Sequence, residues 1–243
     1  MYTTVVEING KKIEVYGVMF VSVAVKSKIF QNFIKNMDPR FIVQSIEIQA
    51  IDFRGAPSPE NVLFLKMKAD VANENGRFIP GSVFMRGGAV AILLVLECER
   101  EEYTVLTRQP RFAMGDFDFP EIPAGMLDGS GDFIGIAAKE LAEETGIKIN
   151  KDKLIPLNPK EMGVMVPSAG GCDEFLKLFL LKEEITRDEL MKLAGKCTGV
   201  AKENEYIVLD VIRLRDIPIK TPDGKALSAL ALYDYLLNKD EIK

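Results

Sequence analysis

Gly125–Ile147 reads GMLDGSGDFIGIAAKELAEETGI, and this stretch decides how the rest of the chain is read. Phe133, Ile136, Ala137 and Leu141 recur at helical spacing, which predicts a helix over Phe133–Thr145 with a buried stripe. Asp132 stands where an N-cap belongs, and Gly146 directly after Thr145 supplies a C-terminal stop. On that helix Glu140, Glu143 and Glu144 fall at i, i+3 and i+4. At about 100° per residue, all three project from one side. Carboxylates so spaced repel one another by a few tenths of a kcal/mol. One reading is a solvated acidic face. The other is a site for a divalent cation, since Mg²⁺ prefers hard oxygen ligands and often bridges to substrate phosphates.

Composition narrows the chemistry. The 243 residues contain no histidine, which excludes Ser-His-Asp, Cys-His and His-ligated zinc catalysis. Catalysis must then rest on carboxylates, Lys, Arg, hydroxyls, thiols or a metal held by oxygen. The formal net charge of −5 speaks against a nucleic-acid groove or an anionic membrane surface. Cys98, Cys172 and Cys197 have the spacing of neither a disulfide framework nor a zinc site, so a reducing compartment fits. The longest apolar run, Ala89–Leu96, is far short of the roughly 20 residues a bilayer span needs. The first residues, MYTTVVEING, lack the pattern of a secretory signal, and the expected location is the cytoplasm.

Outward from the helix, the chain predicts a mixed α/β (α+β) protein. Val5–Ile8 and Lys12–Tyr16 flank Asn9-Gly10, a two-residue hairpin turn. Val18–Val25 reads as a further strand. Ser27 caps a short amphipathic helix carrying Ile29, Phe30, Phe33 and Ile34. Val43–Phe53 and Val62–Val71 alternate as half-buried strands, Ala89–Leu96 is a buried strand, and Tyr103–Arg108 returns after the charged turn Glu99–Glu102. Further strands are expected at Phe175–Leu181 and Tyr206–Leu214. Helices are expected at Thr186–Leu193, where Thr186 and Glu189 form a capping box, and at Ala226–Leu237. A break at Asn73–Gly81 divides an N-terminal β-rich domain, 1–85, from a C-terminal α/β domain, 86–243.

The decisive stretch resembles the Nudix box, G-x5-E-x7-R-E-U-x-E-E-x-G-U with U a bulky aliphatic residue. Gly125, Glu140, Leu141, Glu143, Glu144, Gly146 and Ile147 match. Gly131 stands where the first box glutamate belongs, and Lys139 replaces the box arginine, offering a point charge in place of bidentate contacts. Arg108-Gln109-Pro110-Arg111 with Pro120–Gly125 (PEIPAG) looks like the family's E-Q-x-R…E-x-P-A-G run. Pro167–Glu174 (PSAGGCDE) looks like the S-P-G-G-x-x-E loop of the ADP-ribose and ADP-sugar pyrophosphatases. With Val83–Gly87, these motifs look closest to the plant-type ADP-sugar diphosphatases, and the likeness runs from about Ser27 onward.

This resemblance implies an α/β/α sandwich with a smaller N-terminal β-rich domain that pairs two subunits, hence a homodimer. It implies hydrolysis of the diphosphate bond of an ADP-sugar to AMP and a sugar 1-phosphate, with Mg²⁺ as cofactor and Mn²⁺ as an alternative. Glu140 and Glu144, assisted by Glu143 and the Ala124 carbonyl, are the implied metal ligands. Glu174 is the implied general base acting on water, and Glu143 is grouped with it as catalytic. Arg111, with Arg86 second, is the implied partner of the diphosphate; Arg111 otherwise reads as a surface ion pair. Another nucleoside diphosphate substrate, such as GDP-mannose or a dinucleotide, stays open. So does a nucleotide-binding protein of the same fold that has lost turnover, because of Gly131 and Lys139. No nucleic-acid or membrane partner is expected.

Overall fold

The computed structural model describes residues 1–127, 132–147, 149–200 and 206–242. The chain divides into two compact units, Met1–Gly88 with Ser168–Glu174, and Ala89–Pro167 with Phe175–Lys243.

The first unit is built on a sheet. Strands β1 (Tyr2–Ile8) and β2 (Lys11–Gly17) form the expected hairpin, with Asn9 at φ 50° and Gly10 at φ 76° as a tight mirror-image turn requires. β2 runs parallel to β3 (Ile42–Phe53), which pairs antiparallel with β4 (Val62–Ala72). β5 (Phe78–Ile79) and β6 (Ser82–Met85) both add to β4. The Asn73–Gly81 segment thus lies inside this unit, as a turn at Asn73–Arg77 that leads into β5; the Asn73 side chain accepts from the backbone N–H of Asn75 and Arg77.

Val18–Val25, expected as a strand, instead contains a helical turn, α1 (Val21–Ala24). Its buried residues are Val21, Ala24 and Val25, an i, i+3, i+4 set that suits a helix and not an alternating strand. Gly17 ends β2 at φ 145°, pressed so close to the Ile48 carbonyl that a Cβ would lie 2.0 Å from its oxygen. Helix α2 (Lys28–Lys35) follows, capped by Ser27, whose Oγ accepts from Phe30 N–H at 3.4 Å. Phe30 is fully buried in a core with Val15, Ile46, Ile48, Leu65, Met67 and Met85.

In the second unit the strands are β7 (Gly88–Cys98), β8 (Glu101–Arg111), β9 (Asp116–Glu121), β10 (Ala124–Met126), β11 (Ile155–Pro156), β12 (Phe175–Glu184), β13 (Cys197–Thr198) and β14 (Ile207–Arg213). Its helices are α3 (Phe133–Thr145), α4 (Arg187–Leu193), α5 (Ile217–Lys220) and α6 (Gly224–Leu237). Among the described residues the sheet order is β11-β12-β7-β8-β14-β13, with β10 on β7 and β9 on β8.

Strand β7 shows how the layers arise. Ala89, Ala91, Leu93 and Val95 enter one core with Ala226, Ala229, Tyr233 and Leu236 of α6. Val90, Ile92, Leu94 and Leu96 enter a second core with Ala137 and Leu141 of α3 and with Leu190 and Leu193 of α4. A strand covered on both faces needs apolar residues at both parities, which is why Ala89–Leu96 has no alternation. The unit is therefore helix, sheet, helix, and the protein is of mixed α/β class. Among the described residues, no helix is long and apolar enough to cross a membrane.

Candidate active site

Helix α3 is fixed at both ends. Asp132 caps it, Oδ1 accepting from Gly135 N–H at 2.9 Å. Gly146 leaves it at φ 76°, donating to the Ala142 carbonyl. The last-turn carbonyls, which a helix cannot satisfy internally, find donors on one neighbouring segment. Gly199 N–H donates to Glu143 O at 3.3 Å, Thr198 Oγ1 to Glu144 O, and Lys196 Nζ to Thr145 O at 3.3 Å. The segment around β13 thus holds the end of the helix that bears the glutamates.

The three glutamates differ in surroundings. Glu144 is 6% exposed, although it is an acid. Ala124 N–H donates to its Oε2 at 3.0 Å, and Gln109 Nε2 approaches Oε1 at 3.4 Å. Burial pushes its pKa up to about 8; the Ala124 N–H opposes the shift, the charges of Glu121 and Glu140 add to it, and Arg111 opposes it. Glu140 lies against β10, where a Cβ on Gly125 would come 2.1 Å from the Glu140 carboxyl carbon. Glycine at 125 is what lets the two pack. Glu143 is half-buried and pairs with Lys139 at 3.3 Å, one turn back. Lys139 thus meets a box glutamate through a single ammonium. Gly131, the position of the missing first box glutamate, lies outside the described residues.

Around this helix stands a second polar group, within which the sequence had marked Arg111 alone. Glu121 of β9 is 3% exposed and accepts from two cations. Arg111 Nε donates to its Oε1 at 2.6 Å, with an Nη of the same guanidinium on that oxygen. Lys225 Nζ donates to its Oε2 at 2.9 Å and to Asp223 Oδ1 at 2.9 Å. Burial alone would lower the Lys225 pKa, but the Asp223 and Glu121 charges outweigh it and raise it. Asp223 also caps α6, and its Oδ2 accepts from Ile122 N–H at 3.3 Å. Glu121 stood in the quoted PEIPAG run, and an acid between the apolar Phe119 and Ile122 is the signal that marks it. Lys225 carries no motif.

In the first unit, Glu174 pairs with Arg86, Nη1 to Oε1 at 3.2 Å. Their loop is held by Asp173, whose Oδ1 accepts from the backbone N–H of Arg86 at 2.7 Å and of Gly87 at 3.1 Å. Phe84 N–H donates to Gly171 O at 2.8 Å. Arg86 Nε is buried without a hydrogen-bond partner among the described residues. Of the sequence-marked residues, the second unit holds Ala124, Glu140, Glu143, Glu144 and Arg111; the first unit brings Arg86 and Glu174 together.

A divalent cation suits this donor set. Among the described residues no three acids or thiols converge as a ready-made cage. Mg²⁺ does not ask for one, since it is commonly bound through one or two carboxylates and keeps several waters. Glu144 is an ionisable oxygen donor whose charged form is opposed by burial and by two neighbouring acids, and a cation beside it would reverse that balance.

No family model matches the chain. It is 37% identical over 225 residues to "Nudix hydrolase 14, chloroplastic" of Arabidopsis thaliana, covering 87% of this chain and 71% of that protein. A solved structure described as "Crystal structure of ADP compounds hydrolase" shares the fold at a TM-score of 0.52 and 16% identity, over 83% of this chain and 99% of that one. The chain belongs to the Nudix hydrolases and is a pyrophosphohydrolase of that family, whose members generally use divalent metal ions.

Proposed function

We propose that this enzyme hydrolyses the diphosphate bond of an ADP-sugar, ADP-glucose or ADP-ribose, releasing AMP and the sugar phosphate, with Mg²⁺ as cofactor and Mn²⁺ as an alternative. The observation that carries the metal part is the buried Glu144 carboxylate beside Glu140 and Ala124. The ADP part is supported by the PSAGGCDE loop and by the name of the fold neighbour, which acts on ADP compounds.

In this reading Glu140, Glu144 and the Ala124 carbonyl hold the cation, with Glu143 assisting. The bound cation supplies charge neutralisation on the diphosphate and raises the acidity of water. Glu174 takes the proton from the attacking water, and its pairing with Arg86 keeps the carboxylate oriented. Arg111 and Arg86 offer guanidinium groups to the diphosphate oxygens, a geometry that planar forks match well. Residues 86–243 form the catalytic domain and 1–85 the domain through which two subunits pair. The cytoplasm is the proposed site of action, with all three cysteines free. The relative's name places that protein in the chloroplast.

Lys139 in place of arginine keeps one second reading in play, a protein that binds a nucleoside diphosphate sugar without cleaving it. One panel separates the readings: nucleotide release from ADP-glucose, ADP-ribose and GDP-mannose, with and without Mg²⁺. AMP from the ADP substrates in Mg²⁺ alone is the expected result. Faster cleavage of GDP-mannose would reassign the substrate, and tight binding without release would favour the second reading.

A further inference from the structure

We propose that Glu121 is a positioning residue, held between Arg111 and Lys225, through which the C-terminal helix α6 fixes the arginine offered to the diphosphate. The inference deepens the reading above and rests on its assignment of Arg111. Glu121 is 3% exposed and divides its two oxygens, Oε1 to Arg111 and Oε2 to Lys225. The Arg111 side chain is 41% exposed, so a buried carboxylate grips its base while part of the guanidinium stands at the surface. A guanidinium has five N–H donors, and this pairing engages Nε and one Nη.

An unanchored arginine at the end of β8 would spread over many rotamers and lose that freedom on meeting a ligand. Lys225 holds the anchor in turn. Its ammonium bridges Glu121 and Asp223, and the Asp223 carboxylate also receives the N–H of Ile122, the residue after Glu121. Thr221 Oγ1 donates to the carbonyl of Pro120, the residue before it, at 2.5 Å. The run Thr221–Lys225 therefore grips Pro120, Glu121 and Ile122 in succession. A simple tie between β9 and α6 needs only the backbone contacts. The shared carboxylate is what reaches Arg111.

The test is a double-mutant cycle of Glu121→Gln and Arg111→Ala, followed by kcat and KM for ADP-ribose in Mg²⁺. Glu121→Gln is expected to lower kcat/KM by about ten- to a hundredfold while Arg111 is present. In the Arg111→Ala background the same change is expected to cost less than about twofold. Equal losses in both backgrounds would overturn the proposal, because Glu121 would then act apart from Arg111. Arg111→Ala with wild-type kcat/KM would also overturn it, and would leave Mg²⁺-dependent AMP release by the wild-type enzyme standing. Should Glu121→Gln fail to fold, Lys225→Gln closes the same cycle with the same two criteria, and Lys225→Arg is expected to restore most of what Lys225→Gln loses.

Discussion

Glu144 is a carboxylic acid folded into a place that favours its neutral form. Its pKa rises from an ordinary 4.5 to about 8, chiefly through burial. Between those values the folded protein binds a proton that the unfolded chain has released, so stability falls as pH rises through this window. The contribution is fully present below about pH 4.5 and lost above about pH 8. Thermal melts of metal-free protein should therefore show wild type losing a few kcal/mol from pH 5 to pH 8 relative to Glu144→Gln, which has no proton to lose there. Adding Mg²⁺ at pH 8 should return stability to wild type and little to Glu144→Gln. Parallel pH profiles for the two proteins would show that Glu144 does not titrate abnormally. The EXXEE spacing set Glu144 on one side of the helix with Glu140 and Glu143, and the resemblance to the Nudix box is what implied a ligand role for it. Its burial was not read from the sequence, because its charge drew it to the acidic side, although Ala137 and Leu141 lie seven and three residues before it and share its face of the helix.

Helix α3 and strand β10 carry the next consequences. Gly125→Ala places a methyl group 2.1 Å from the Glu140 carboxyl carbon. The flexible carboxyl end can swing aside, so the expected loss of stability is about 1 kcal/mol. Mg²⁺-dependent turnover should nevertheless fall far more, since Glu140 is then displaced; unfolding curves and initial rates on one preparation check both halves. Thr198→Val removes the hydroxyl that donates to the Glu144 carbonyl and should cost about 1 kcal/mol in urea unfolding. The sequence showed α3 to its end residues because Asp132, the apolar stripe and Gly146 agree with one another. It misread Val18–Val25, where β-branched residues favoured a strand but the buried set follows helical spacing. It also gave no sign of the contacts from Lys196–Gly199 or from Lys225. These depend on residues far apart in the chain meeting in the fold, and no local pattern encodes that meeting.

At the scale of the molecule, the sandwich of the second unit was expected from the resemblance, and the buried strand read at Ala89–Leu96 accords with it, since its unbroken apolar run is covered on both faces. The grouping of Ser168–Glu174 with the first unit was not expected, because that loop lies some eighty residues past Gly88 and joins it through Phe84, Arg86 and Gly87. The proposed homodimer predicts a sedimentation mass of about twice 27.0 kDa at micromolar concentration, and a mass of one chain would remove it. The central claim is that carboxylates on one helix hold a cation against a diphosphate, and the most direct test is the rate of AMP release from ADP-ribose and ADP-glucose in Mg²⁺. Wild type should turn over, while Glu140→Gln, Glu144→Gln and Glu174→Gln should each fall by about a hundredfold or more with folding intact. Wild-type rates in Glu140→Gln and Glu144→Gln would contradict it.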